Sequence, residues 1–203
     1  MFTQLQSQCC SRQGCKEPAT TYTASLLKRR VTEIGNLCAK HANKSIEVAS
    51  HASVPQYTQS TGEYVCADIS FIGCCDRGSL FLLVTETGNA LAIPSGPCEG
   101  YIALGRFGMN DDRLAAELPL ALLSLVKTLN LSSGSIVISE IGAADQTIIY
   151  TTYYVLTTNP EVLLRVKTTD AISLALYGSL PIFVSKDALN KHHELEWPLF
   201  PWN

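Results

Sequence analysis

The chain has 203 residues, of which 46% are hydrophobic, and its formal net charge at pH 7 is −3. This length and composition exclude a disordered tail and fit one well-buried domain with a small appendage. The negative charge argues against a globally basic surface for nucleic acid or anionic membrane. The first residues lack the apolar core of a signal segment, and no run of about eighteen apolar residues occurs, so we expect a cytoplasmic protein that makes no membrane contact.

Two short half-sites near the N-terminus predict a bound zinc ion. Cys10 and Cys15 form a C-x4-C half-site, and Cys38 and His41 form a C-x2-H half-site. Short spacing lets both side chains of a half-site converge without strain, and two such halves can close a tetrahedron. Four protein ligands leave no open coordination position, so the predicted role is structural. Cys9 is an alternative ligand to Cys10, and reduced thiols without a metal are the alternative to zinc.

The residues between these half-sites predict a β-hairpin. Thr20–Leu27 and Val31–Leu37 have the composition of two strands, and a metal would hold the two ends of their hairpin together. Residues 1–43 are therefore predicted to form a small zinc-bound β-hairpin module, in which the metal supplies folding free energy that a small core cannot. Residues 44–62 are rich in Ser, Thr, Gln and His and are predicted to be a linker.

Residues 63–190 contain one sequence unit twice. Ile69-Ser-Phe-Ile-Gly73 recurs as Ile138-Ser-Glu-Ile-Gly142, and each copy continues with a turn, two further strand patterns and a helix pattern. The helix of the first copy begins near Glu99 and that of the second near Asp170, so the two acids hold equivalent places. A duplicated β-β-β-α unit with a linking helix predicts an α+β domain.

Helical and terminal segments complete the predicted architecture. Asp111–Asn130 carries leucines at helical spacing and predicts an amphipathic linking helix, whose leucine stripe is either core or a seam between copies of the chain. A second helix, apolar nearly all round, is predicted to begin near Thr169 and to end at Gly178, followed by a strand at Ile182–Val184. Residues 191–203 form a tail rich in Pro and Trp that must dock on its own domain or on another copy. A homo-oligomer is expected.

Three segments of the main domain resemble the bifunctional nuclease domain family, a group named for nuclease activity toward both DNA and RNA. They are Leu91–Glu99, Lys167-Thr-Thr-Asp170-Ala-Ile-Ser-Leu-Ala-Leu and Gly178-Ser-Leu-Pro181-Ile-Phe-Val184-Ser. The chain departs from the family at Ala115–Pro119, where the family has an Arg, a Thr and a His, and again at Lys167, which replaces an arginine. The resemblance implies a nuclease fold with nucleic acid as its partner.

A nuclease that uses divalent metal needs carboxylates beside the scissile phosphate. Glu99 and Asp170 are the predicted catalytic residues, with Mg²⁺ or Mn²⁺ as cofactor. The alternative is a purely structural role, in which each carboxylate caps its own helix. The alternative function is a non-catalytic regulatory or protein-binding module on the same scaffold. Further site candidates are Asp68 and Glu140 as additional acids, and Arg165 and Lys167 as phosphate-binding residues. Four cysteines without a histidine at catalytic spacing are predicted to be buried small hydrophobes, namely Cys66, Cys74, Cys75 and Cys98.

Overall fold

The computed structural model describes residues 8–27, 30–52, 62–105, 107, 117–144, 147–158 and 160–194. These residues form five helices and nine strands, which confirms the predicted α+β class. None of the helices in these ranges has the length and apolar character needed to cross a membrane. The elements in chain order are β1 (Thr21–Leu27), β2 (Arg30–Leu37), α1 (Ala39–Ser50), β3 (Tyr64–Cys75), β4 (Gly78–Thr85), β5 (Ala90–Ser95), α2 (Pro97–Gly105), α3 (Glu117–Thr128), β6 (Ser133–Ala144), β7 (Thr147–Leu156), β8 (Val162–Val166), α4 (Thr168–Gly178), β9 (Ile182–Ser185) and α5 (Lys186–Glu194).

All nine strands belong to one sheet. Its order is β2-β1-β3-β9-β6-β7-β8, and β4 and β5 extend from the other edge of β3. The twelve residues of β3 are long enough for β9 to pair with its first part and β1 with its later part along the same edge. Strand β9 is antiparallel to β3 and parallel to β6, so it hydrogen-bonds the two sequence copies to each other.

The element order confirms the predicted duplication. The first copy is β3-β4-β5-α2, the second copy is β6-β7-β8-α4, and α3 links them. Both copies have a register shift at the same sequence position, around Ser70 in β3 and around Ser139 in β6. The Ser70 hydroxyl donates to the carbonyl of Leu82 at 3.2 Å, and the Ser139 hydroxyl donates to that of Thr151 at 3.4 Å. Equivalent serines thus satisfy equivalent backbone groups where the strand ladder is interrupted.

The N-terminal hairpin is part of the main sheet, because β1 pairs with both β2 and β3. The prediction of a linker over 44–62 is wrong for its first part, since α1 continues to Ser50. The segment is polar in overall composition, so its helical pattern, in which one face carries small and apolar side chains, was not recognised in the sequence. The buried residues of α1 are Ala42, Ser45, Ile46 and Ala49. Residues 53–61 lie outside the described part of the chain.

The sheet of the first copy is covered on both faces. Ile72 and Phe81 lie in the main core on the side of α2 and α4, whereas Phe71 and Leu82 lie in a second core with residues of α1 and the N-terminal segment, among them Ile46. Strand β4 is therefore buried at every residue. Strand β7 instead alternates between buried and half-buried residues over 151–154, as expected of a strand with one covered face.

Helix α4 is buried along most of its length, as its apolar sequence predicts. The predicted start near Thr169 is confirmed within one residue, but the helix has no side-chain cap hydrogen bond at Lys167. Its stop differs in detail from the predicted glycine cap. Ser179, not Gly178, takes the left-handed conformation, with φ of 55°. Gly178 instead lies in close packing, because a Cβ there would lie 2.9 Å from Leu123 Cδ2, so the leucine would have to shift.

The linking helix α3 is only partly buried. Its described part is Glu117–Thr128, with Pro119 in the first turn of that range, and 108–116 lie outside the described residues. Val126 is buried, and Leu122 and Leu123 pack against the main core. Of the two alternatives for the leucine stripe, core holds only for part of it, because a single helix face contacts the domain, and the seam between copies stays a prediction for the exposed leucines. The exposed leucines are Leu120, Leu125 and Leu129.

Candidate functional site

The four predicted zinc ligands lie together in the structure. The ligand atoms of Cys10, Cys15, Cys38 and His41 are all within 4.8 Å of one another. Nδ1 of His41 is 3.3 Å from Sγ of Cys10 and 3.3 Å from Sγ of Cys38, and Sγ of Cys15 is 4.0 Å from Sγ of Cys38. Ligand atoms around a tetrahedral zinc lie about 3.5–3.8 Å apart, so the cluster is close enough to bind a metal ion.

Backbone structure places the two halves of the cluster. Cys38 directly follows β2 and is the N-cap of α1, so His41 lies in the first helical turn and donates its backbone N–H to the Cys38 carbonyl at 3.0 Å. The other half is a tight turn in which the Cys15 N–H donates to the Arg12 carbonyl at 3.0 Å. A further bond from Ser11 N–H to the β2 carbonyl of Asn36 fixes this turn, the knuckle of residues 10–15, against the hairpin.

The thiols of the cluster have perturbed acidities. Burial by itself raises the pKa of Cys10, but hydrogen bonds from the backbone of Cys38 and Arg12, with those of the His41 and Cys15 side chains, lower it to about 7. A hydrogen bond from the Glu17 backbone lowers the pKa of Cys15, but desolvation and the neighbouring thiols of Cys10 and Cys38 together outweigh it, so the pKa is raised. A thiolate is the form of cysteine that binds metal, so a low pKa at one ligand favours metal binding near neutral pH.

Cys10, and not Cys9, belongs to the cluster. The Cys10 side chain is buried, whereas Cys9 is exposed and its backbone forms an isolated bridge with Pro18. Adjacent residues in extended backbone direct their side chains to opposite sides, so only one of the two can enter the site. The donor set is three sulfurs and one imidazole nitrogen, which suits zinc and leaves no open position at a tetrahedral ion.

The two acids at equivalent helix starts are also brought together. Glu99 is the third residue of α2 and Asp170 the third residue of α4. Lys167, the N-cap of α4, forms an ion pair and hydrogen bond with Oε1 of Glu99 across the boundary between the copies. The helices also meet where the Tyr177 hydroxyl donates to the Ile102 carbonyl at 3.1 Å. The structure thus forms one cluster, the acidic cluster, from Glu99, Lys167 and Asp170.

Among the residues that the structure describes, one cation, Lys167, faces the two half-buried carboxylates of the acidic cluster. Burial raises the pKa of Glu99, but the hydrogen bond and charge of Lys167 outweigh burial and lower it. The pKa of Asp170 is raised, because burial and the negative charge of Glu99 together exceed the attraction of Lys167. The pKa of Lys167 is raised by its bond to Glu99, and the charge of Asp170 adds to that effect. The carboxyl of Asp170 therefore lacks full charge compensation.

The other predicted site residues are less closely connected to this cluster. Arg165 is exposed in β8, two residues before Lys167. Asp68 is buried within β3, and its Oδ1 accepts a hydrogen bond from the backbone N–H of Ile69 at 3.1 Å. Glu140 pairs with Thr151 through the backbone, and its side chain lies outside the described part of the structure.

The cysteines of the main domain are mostly buried. Cys66, Cys74 and Cys75 are buried, which confirms that prediction. The same prediction is wrong for Cys98, which is exposed in the first turn of α2. A helix start at the sheet edge leaves its first residues in solvent even when the rest of the helix packs, and composition alone does not show this.

Sequence reasoning missed a side-chain network beside the metal cluster. Arg12, which lies between the ligands Cys10 and Cys15, pairs with Glu33 of β2 at 2.9 Å and donates to the buried hydroxyl of Ser45 in α1 at 3.2 Å. Its position inside a short metal-binding turn is the one sequence signal that it is held in place. The network joins the knuckle, the hairpin and α1.

The fold and the cluster define an α+β domain with a Cys3His candidate metal centre. Neither a family model nor a curated protein matches the chain. The resemblance to the bifunctional nuclease domain family therefore stays a hypothesis that rests on the short segments quoted above.

Proposed function

We propose that this protein is a divalent-metal-assisted nuclease whose catalytic carboxylates are Glu99 and Asp170. One observation supports the proposal most directly. The two acids come from different copies of the repeat, each lies at the start of a helix, and Lys167 is a charged neighbour of both. Helix N-termini favour anions such as phosphate because their N–H groups are free and the helix dipole is positive there. A phosphodiester and the cation that activates it would therefore find complementary groups at one place.

The charge balance of the acidic cluster supports a bound divalent cation. Within the described part of the chain, the two carboxylates face a single ammonium group, and burial of Asp170 makes the uncompensated charge costly. Mg²⁺ and Mn²⁺ take oxygen ligands, so the carboxylates of Glu99 and Asp170 suit them. Such a cation polarises a phosphoryl oxygen and lowers the pKa of bound water. Lys167 and the exposed Arg165 are the proposed phosphate-binding residues.

We further propose that the ion in the Cys10, Cys15, Cys38 and His41 cluster is Zn²⁺ with a structural role. Soft thiolates and an imidazole match zinc, and a full set of protein ligands leaves no position for substrate. The ion would fasten the knuckle to the start of α1, and both contribute to the second core beneath β3 and β4. In this proposal zinc stabilises the fold while the chemistry lies in the acidic cluster.

A nuclease assay of paired variants tests the function. Zinc-loaded protein freed of other divalent cations is incubated with single-stranded DNA or RNA, with and without Mg²⁺ or Mn²⁺. We expect cleavage that depends on the added cation and falls by about 100-fold or more in Glu99→Gln and in Asp170→Asn. Asp187→Asn, which removes an exposed acid from the first turn of α5, is the control and should retain full activity. Equal rates in all three variants would remove the site assignment.

A non-catalytic binding module is the second candidate, and the ion pair itself favours it. Lys167 already occupies one oxygen of Glu99, and both acids hold the third helical position, where a carboxylate stabilises its own helix start. This candidate predicts binding of nucleic acid or protein without cleavage under every cation tested. The predicted homo-oligomer stays a prediction, which variants of the exposed Leu125 on α3 can test by light scattering.

A further inference from the structure

A second candidate binding site lies in the N-terminal region of the molecule. The hairpin, α1 and the metal-binding knuckle enclose an open cavity of about 940 Å³. Sites for small ligands in proteins commonly have volumes of about 300–1,000 Å³ and combine apolar walls with a few polar groups. None of the proposed catalytic residues lines this cavity, so it is separate from the acidic cluster.

The polar wall of the cavity carries excess positive charge. Glu33 is the one acidic residue among its lining residues, and it is already paired with Arg12. Lys44 also lines the cavity from the exposed side of α1, and His51 lines it near the end of that helix. Because the whole chain carries a net charge of −3, this local excess is opposite in sign to the molecule as a whole. An anion would be attracted to this wall.

The side chain of Arg12 is held in place by contacts that do not use all of its N–H donors. A guanidinium has five N–H groups. The contacts to Glu33 use two of them and the contact to Ser45 uses one, which leaves two. Since the ion pair and the buried hydroxyl already immobilise the side chain, binding an anion would cost little further conformational entropy.

The remaining wall is apolar. Leu26 of β1 and Ala49 of α1 are buried at the cavity, and Val48 lines it although its side chain is 68% exposed. A valine that remains exposed beside buried apolar residues would gain free energy by contact with an apolar ligand group. The cavity thus offers cationic donors and an apolar surface to one ligand.

We propose that this cavity binds a small amphipathic anion, with one phosphate or carboxylate group on an apolar body. Lys44 and one of the remaining N–H groups of Arg12 bind the anionic group, and Leu26, Val48 and Ala49 contact the body. The site does not depend on the proposed nuclease activity, because it is built from the N-terminal region. If the cavity did not bind the anion, the proposed role of the acidic cluster would not be affected.

Isothermal titration calorimetry on the zinc-loaded full chain tests the proposal. The probes are octyl phosphate for a phosphate ligand and octanoate for a carboxylate ligand, and their neutral counterparts are octanol and octanamide. We expect one of the two anions to bind saturably at one site per chain, at least about tenfold more tightly than its neutral counterpart. The anion that binds identifies the source of the charged group.

Charge-reversal variants on α1 locate the binding. Lys44→Glu should weaken the anion by about tenfold or more, whereas Lys40→Glu, an equal change at an exposed residue of the same helix outside the cavity lining, should leave affinity within about twofold. Both positions are exposed, so neither change threatens folding. Three results would overturn the proposal: no saturable binding of either anion, equal binding of the neutral counterparts, or equal loss in the two variants.

Discussion

Leu80 and Ile149 hold equivalent positions in the two copies, yet Leu80 is 1% exposed and Ile149 is 48% exposed. Leu80 pairs with Gly73, and Ile149 pairs with Gly142, its counterpart in the sequence repeat. The difference arises because the N-terminal segment and α1 cover only the first copy. A symmetric sequence unit has thus acquired two different environments through one appended module.

This asymmetry predicts unequal mutational costs at matched positions. Leu80→Ala should lower the free energy of unfolding by about 2–5 kcal/mol, because it leaves a cavity in the second core. Ile149→Ala should cost about 1 kcal/mol or less, because its side chain is already largely in water. Chemical denaturation of both variants measures the difference. Similar losses at the two sites would show that the outer face of the second copy is also covered.

Loss of a metal ligand should release the metal and destabilise the N-terminal region. Wild-type protein is expected to contain about one zinc per chain, and Cys38→Ser should lose it and reduce stability by about 3 kcal/mol or more. Cys9→Ser is the matched control, since Cys9 is exposed next to a ligand. Elemental analysis and thermal denaturation provide the measurements. Equal metal loss in the control would reopen the choice between Cys9 and Cys10.

The ion pair in the acidic cluster should contribute stability only within a defined pH window. The pKa of Glu99 in the folded protein is lowered from 4.5. Its contribution to the free energy of unfolding is therefore complete above pH 4.5 and disappears as the pH falls through the pKa of the folded protein. The pKa of Lys167 is raised above 10.5, so the upper limit of the window lies beyond that pH. Lys167→Met should therefore cost up to about 1 kcal/mol near neutral pH, a modest figure because the lysine is largely exposed.

Urea denaturation of Lys167→Met and wild-type protein at neutral pH and at about pH 3 provides the measurement. The difference in unfolding free energy should shrink at the acidic pH, because progressive protonation of Glu99 below pH 4.5 removes the charge that pairs with Lys167. Lys127→Met, at an exposed lysine of α3, controls for general charge loss and should show no such pH dependence. A difference that persists in acid would assign the effect of Lys167 to packing and not to its charge.

Close packing of α2 on the sheet predicts a strict requirement for glycine at one position. A Cβ at Gly100 would lie 2.6 Å from Cβ of Cys74 and would also contact Oγ of Ser79, which accepts the Gly100 N–H at 3.0 Å. Gly100→Ala should therefore cost about 2 kcal/mol. Gly142→Ala, where a Cβ meets nothing within 4 Å, should change stability by about 0.5 kcal/mol or less. Thermal denaturation distinguishes these outcomes, and equal midpoints would contradict the close approach.

Local sequence patterns predicted most elements because they report local physics. Alternation and turn residues predicted two further strands after the repeated segment, and the repeat of Ile69–Gly73 predicted the order of the second copy. The half-site spacing identified all four residues of the metal cluster, because short spacing alone makes two side chains converge. Helix α1 was missed because its polar composition concealed its buried face, and that face is defined only by the sheet it packs against.

The sequence by itself determined the α+β class, the duplication and the cysteines and histidine that can hold a metal. The tertiary structure decided which face of each element is covered, so Leu80 is buried and Leu125 is exposed. It also brought Lys167 of one copy into an ion pair with Glu99 of the other. It also formed the cavity around Arg12 from segments that are far apart in the sequence. The physical reason is that hydrogen-bonding and hydrophobic periodicity are local properties, whereas burial and charge pairing depend on residues that only folding brings together.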